Sequence, residues 1–123
     1  MEKSGKPGET GIKRIVNAGF YSWNGICAAY KSEEAIRQEI LLLVVGAILV
    51  FFMDVSHIEK ILMFGSVVFL FVVELLNSSI EAVVDRIGSE HHELSGKAKD
   101  IGSAAVLMSI FLMIFVWFTI LTN

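Results

Sequence analysis

Residues 74–85 read ELLNSSIEAVVD, and they follow Ile61 to Val73, an apolar run without a single charge. On a helix turning about 100° per residue, Glu74, Asn77, Glu81 and Asp85 fall within roughly 80° of one another, with Ser78 alongside. Glu74 and Glu81 are then about 10 Å apart along the axis, on one stripe. Carboxylates entering an apolar segment are costly, so such a stripe points to function before it points to packing. It also decides the fold class, because the segment is long enough to cross a bilayer only if the stripe is part of it.

The rest of the chain agrees with a membrane class. It has 123 residues, 54% of them hydrophobic and only 19% charged, with a mean hydropathy of +0.67. That length is one domain, and that bias is abnormal for a water-soluble one. Ile101–Thr122 carries no charge and is the clearest span, with Trp117 near its far end as an interfacial anchor. Ile40–Met53 makes about 21 Å of helix, short for a 30 Å hydrocarbon core. Extended back through Ala35–Glu39 it suffices, with Arg37, Gln38 and Glu39 at head-group level. Three transmembrane helices are expected, over 33–53, 61–85 and 101–122, the last two joined by a charged connector over 86–100.

Upstream, Ile12, Ile15, Val16, Gly19, Trp23, Ile26, Cys27 and Tyr30 recur at spacings of three and four. Lys13, Arg14, Asn17, Asn24 and Lys31 fall largely on the other side. This predicts an amphipathic helix over 10–31 lying in the membrane interface, although packing on its own protein would give the same pattern. Ser32, followed by Glu33 and Glu34, reads as the N-cap of the first span. Residues 1–9, with the single proline Pro7, read as a flexible leader. Residues 1–14 are polar and Ile15–Tyr30 lacks a continuous apolar core, so no secretory signal is expected.

Of ten Lys and Arg, six precede Ile40, one (Lys60) lies in the first loop, and Arg86, Lys97 and Lys99 lie between the second and third spans. The positive-inside rule puts the N-terminus and the 86–100 connector in the cytoplasm and the C-terminus outside. The net charge of −3, with no basic tract, gives no reason to expect nucleic acid. Cys27 is the only cysteine, which excludes an internal disulfide and a cysteine-rich metal site.

The informative polar residues therefore collect at one level: Glu33, Glu34, Arg37 and Glu39, the 74–85 stripe, and GSEHHELSGKAKDIGS over 88–103. Carboxylates with an amide and hydroxyls suit a hard divalent cation, and Lys97, Lys99 and Arg14 could meet phosphate. That is equipment for metal-assisted phosphoryl transfer. The same stripe could serve a small proton-coupled transporter or channel subunit through Glu74, or a packing seam in a subunit without chemistry. Spacing leaves all three open. His91-His92 is a weak metal signal, since adjacent helix residues point about 100° apart. Ser95-Gly96-Lys97 is not a phosphate loop: Gly88 has the wrong spacing, Ala98 follows the lysine and no strand precedes.

ELLNSSIEAVVDRIGSEHHELSGKAKDIGSAAVL resembles the signature region of the small prokaryotic diacylglycerol kinases of Gram-negative inner membranes. RIVNAGFYSWNGICAAYKSEEAIRQE resembles their surface helix and the start of their first span. The resemblance covers about residues 10–115. It implies an all-α integral membrane homotrimer of three-helix subunits, each with an amphipathic surface helix and with active sites between subunits at the cytoplasmic side. It implies transfer of the γ-phosphate of MgATP to the 3-hydroxyl of diacylglycerol, giving phosphatidic acid for phospholipid turnover.

Carried over by position, Glu74 matches the catalytic base, with Asn77 beside it, and Glu33 and Glu81 match magnesium ligands. Arg14, Tyr21, Glu33, Glu81, Glu90, His91, His92, Lys99 and Asp100 match the ATP site. The lipid site matches Arg14, Ala18, Gly19, Phe20, Tyr21, Ser22 and Trp23, then Ala35, Ile36, Arg37, Gln38 and Glu39, with Glu74 and Ser103. The sequence departs from the family's pattern at Phe20 (glycine there), Cys27 (arginine), Tyr30 (tryptophan), Ile36 (phenylalanine) and His91 (tyrosine). With no cation at Cys27, a lipid or phosphate contact there is not expected.

Overall fold

The computed structural model describes residues 10–88 and 90–123, and the expected leader lies outside them. These residues form four helices: α1 (Gly11–Ser32), α2 (Glu34–Phe52), α3 (His57–Ile87) and α4 (Glu93–Leu121). The chain divides into two compact units, one ending at Glu34 and one running from Ala35 to Asn123.

The first unit is essentially α1. Gly11 opens it at φ +66°, a left-handed backbone that glycine adopts without strain. No residue of α1 is buried, and its apolar side chains Ile12, Ile15, Phe20 and Trp23 are all exposed. Ser22 Oγ donates to Ala18 O at 2.8 Å. The helix runs through Ser32, so that residue is not the cap of the next helix. The break falls at Glu33, whose backbone is extended and whose N–H donates to Ala29 O at 2.8 Å. That bond closes the last turn of α1, and α2 begins one residue later than the sequence suggested.

In the second unit α2, α3 and α4 are each long and apolar enough to cross a bilayer. The chain is a membrane protein, and its burial pattern says why. The fully or nearly buried residues include Glu74, Asn77, Ser66 and Ser109, while Phe52, Phe111, Phe115 and Phe118 stand exposed. In water that arrangement would be costly; in hydrocarbon it is the expected one.

α3 has 31 residues, so it is about 46 Å long and overshoots the hydrocarbon core. It starts four residues before the expected span because Ser56 caps it. Ser56 Oγ accepts from Glu59 N at 3.1 Å, and Glu59 Oε1 accepts from Ser56 N at 3.0 Å, a complete capping box. Lys60 Nζ donates to Phe51 O at 3.2 Å and closes the end of α2 across the turn.

α4 begins at Glu93, where His92 Nδ1 accepts from Leu94 N at 3.0 Å. Half of the expected connector is therefore helix, and α4 packs along α3. Trp117 Nε1 donates to Met63 O at 3.0 Å, so its indole N–H is bonded within the chain rather than to the interface. Gly46 of α2 faces Val67 of α3, where a Cβ would make ordinary contact with Val67 Cγ2 at 3.7 Å.

Candidate active site

The stripe forms as the spacing predicts, on the C-terminal half of α3. Glu74 is 5% exposed and Asn77 8%; Glu81 is half-buried and Asp85 open. Burial thus falls steadily along the stripe, from a carboxylate enclosed by protein to one in solvent. An enclosed carboxylate is the group whose proton chemistry can be isolated from water, and the open end is where a polar molecule can enter.

Three residues complete the enclosed end. Glu39 of α2 meets Glu74 side chain to side chain. Asn77 Nδ2 lies 3.4 Å from Glu81 Oε2, a long contact linking the middle of the stripe to its open half. Gly102 of α4 faces Asn77 so closely that a Cβ there would collide with Asn77 Oδ1. Glu39 Oε1, Asn77 Oδ1 and Ser78 Oγ are all buried without a hydrogen-bond partner. Buried polar atoms are nearly always paired, so three orphans beside one buried carboxylate mark a place built for a further polar group. The sequence singled out Glu74, Asn77 and Ser78. It assigned Glu39 to a lipid-lining stretch and gave no sign that it meets Glu74.

At the open end, Lys99 Nζ pairs with Asp85 Oδ1 at 2.8 Å, across α3 and α4. Above this pair lies a pocket of about 360 Å³ lined by Val84, Asp85, Gly88, Glu90, His91, His92, Ser95, Gly96 and Lys99. It gathers four of the residues matched to the ATP site, namely Glu90, His91, His92 and Lys99. It adds Asp85, Ser95 and Gly96, which the carry-over did not include. Asp100 is exposed and does not line it, as its angular offset from Lys99 requires.

Arg14, Ala18 and Tyr21 belong to the first unit, where i, i+4 and i+7 spacing sets them on one face of α1. Glu33 is half-buried at the end of that unit. Among the lipid-matched positions, Arg37 and Ser103 are exposed, whereas Ile36 is wholly buried and packs in the core. No group of three or more His, Cys, Asp or Glu that could hold a metal forms among the described residues. The oxygen donors present still fit magnesium, which is commonly held by one or two carboxylates with phosphate oxygens and water completing its shell.

The sequence profile of the prokaryotic diacylglycerol kinase family matches residues 20–121. The chain is 50% identical to the diacylglycerol kinase of Escherichia coli over 108 residues, 88% of each chain. It is 47% identical to that of Pseudomonas aeruginosa over 121 residues, 98% of each chain. Against that of Haemophilus influenzae it is 46% identical over 108 residues, 88% of this chain and 92% of the other.

Proposed function

The chain belongs to the prokaryotic diacylglycerol kinase family, and from that premise we propose that Glu74 is the base of its reaction. It is a membrane-embedded, ATP-dependent lipid kinase that phosphorylates diacylglycerol to phosphatidic acid. The transporter and assembly readings left open by spacing give way to this one. The observation that carries the site assignment is the enclosed carboxylate of Glu74, 5% exposed, beside buried acceptors that lack a donor.

In the proposed reaction the 3-hydroxyl of diacylglycerol lies against Glu74, which accepts its proton. The hydroxyl oxygen bonds to the γ-phosphorus as the bond to the bridging oxygen breaks, and ADP leaves. Asn77 orients the reacting groups from the next turn. The hydroxyl's one proton goes to Glu74, and the orphaned oxygens of Glu39, Asn77 and Ser78 leave room for a further polar group of the substrates beside it. Glu33 and Glu81 would hold magnesium. Bound with the nucleotide, it would offset phosphate charge. Lys99 and Arg14 do the same from the protein side, and the pocket over Glu90–His92 and Lys99 is of a size and polarity to take part of the nucleotide. Ala18–Trp23, Ala35, Arg37–Glu39 and Ser103 contribute to the lipid side.

We further propose a homotrimer in the bacterial inner membrane, with α1 as an interfacial helix, the N-terminus and the α3–α4 junction cytoplasmic, and the C-terminus periplasmic. The basic-residue count supports that orientation, and the exposed Ile12, Ile15, Phe20 and Trp23 of α1 support an interfacial location. Glu74 and Asn77 are already buried within one chain. The half-buried Glu81 and open Asp85 leave room for groups from a neighbour.

The test is direct. Purified protein in mixed micelles with diacylglycerol and γ-labelled MgATP yields labelled phosphatidic acid, and Glu74→Gln yields none while eluting as the same oligomer. Near-normal turnover by that variant sinks the assignment of Glu74.

A further inference from the structure

Gly102 stands apart from the other glycines within the described helices. A Cβ added at Gly19, Gly25, Gly65 or Gly96 would meet nothing within 4 Å, and at Gly46 it would make ordinary contact with Val67. At Gly102 it would run into Asn77 Oδ1 and lie 3.3 Å from Asn77 Cγ. The space of the absent side chain is thus filled by the carboxamide of a stripe residue. That carboxamide is 8% exposed as part of Asn77, and its oxygen is buried without a donor. Its nitrogen lies 3.4 Å from Glu81 Oε2.

An asparagine carboxamide in a helix interface has few rotamers. With α4 bare at 102, the rotamer that lays Oδ1 against the α4 backbone and aims Nδ2 along the stripe is open to it. With a methyl at 102 it is closed. We infer that Gly102 is a positioning residue, which fixes the carboxamide of Asn77 for phosphoryl transfer by leaving α4 without a side chain opposite it. The inference rests on the reading of Asn77 as part of the site.

The atom in the way is the far end of a side chain, not backbone. A methyl at 102 therefore turns Asn77 aside more readily than it separates the helices. Alanine also favours helix over glycine, so α4 itself does not suffer. A glycine retained only for close packing predicts the reverse: a methyl would loosen the α3–α4 contact and lower stability, with activity falling only as folded protein is lost.

The experiment uses the full chain in mixed micelles, comparing Gly102→Ala with Gly65→Ala as the methyl control. The side-chain NH₂ resonance of Asn77 is assigned by its loss in Asn77→Ala. In Gly102→Ala it should shift, kcat should fall roughly 10- to 100-fold as expected for a small misplacement, and the unfolding temperature should not drop. In Gly65→Ala neither the resonance nor kcat should move. An unshifted resonance in Gly102→Ala overturns the inference. A lowered unfolding temperature for Gly102→Ala that persists when Asn77→Ala is added overturns it too, since the methyl would then be meeting the helix rather than Asn77. A shifted resonance with unchanged kcat instead removes Asn77 from the reaction, and the proposed catalytic reading of that residue fails with it.

Discussion

α3 meets α4 at two levels that use polar atoms in opposite ways. Near Met63 the buried polar groups are all spoken for. Met63 O accepts from Trp117 Nε1 at 3.0 Å and from Ser66 Oγ at 2.7 Å. About three turns of helix further on, around Glu74, three buried oxygens have no partner among the described residues. The same pair of helices is closed at one end and left wanting at the other. In hydrocarbon an unmet polar group costs several kcal/mol, so the open level is retained for something other than the stability of the empty protein. The Met63 level holds the helices together; the Glu74 level is where we propose that substrate binds.

The contrast breaks most easily at Glu74. Glu74→Gln keeps the size of the side chain but cannot take up a proton. The rate of phosphatidic acid formation should fall by roughly 10²–10⁴-fold, the range for a lost general base. Thermal unfolding should be unaltered or raised, because a buried carboxyl is replaced by a neutral amide. A loss of rate with an equal loss of folded protein would instead make Glu74 another structural contact, like those near Met63. The next effect in size belongs to Glu81, at the half-open middle of the stripe. Glu81→Gln should raise the MgATP needed for half-maximal rate about tenfold and shift the magnesium activation curve upward, with the diacylglycerol dependence little changed.

A smaller effect is expected at the solvent end. Asp85 and Lys99 are paired, yet both are substantially exposed, with side chains 67% and 44% accessible. Exposed pairs contribute little to stability, so Asp85→Asn should leave unfolding unchanged. By freeing Lys99 it should alter the half-saturating MgATP concentration only a few-fold, and less at high salt. A salt-independent change at this position would mean that the pair is not the solvated one that its exposure indicates.

These levels were not equally legible in the sequence. The apolar runs gave the three long helices, and a period of 3.6 put Glu74, Asn77, Glu81 and Asp85 on one face. Those are properties of one helix, and one helix is written locally. The start of α3 was also written locally, in Ser56-His57-Ile58-Glu59, which has the spacing of a capping box. The start of α4 was not, since histidine is outside the usual cap residues. The Glu39–Glu74 meeting, the Asp85–Lys99 pair and the fit of Asn77 against Gly102 depend on how the helices are rotated about their axes. No period within a single segment carries that information. Family resemblance supplied roles for Glu39 and Lys99 but not the partners that hold them.

The smallest effect is expected at the closed level, and it sharpens the comparison because it should be confined to stability. Trp117→Phe keeps an aromatic ring against α3 and deletes only the N–H that reaches Met63 O. The carbonyl that loses this donor still accepts from Ser66 Oγ at 2.7 Å, so it is not stranded. Side-chain hydrogen bonds between membrane helices average about 0.6 kcal/mol, with a ceiling near 2, and the variant should lose stability of that order in a reversible detergent unfolding series. Turnover per folded molecule should match the parent, because the indole bonds Met63, about three turns of helix from Glu74. A selective fall in turnover without loss of stability would mean that the closed level transmits strain to the open one. The two ends of the α3–α4 contact would then be one device rather than two.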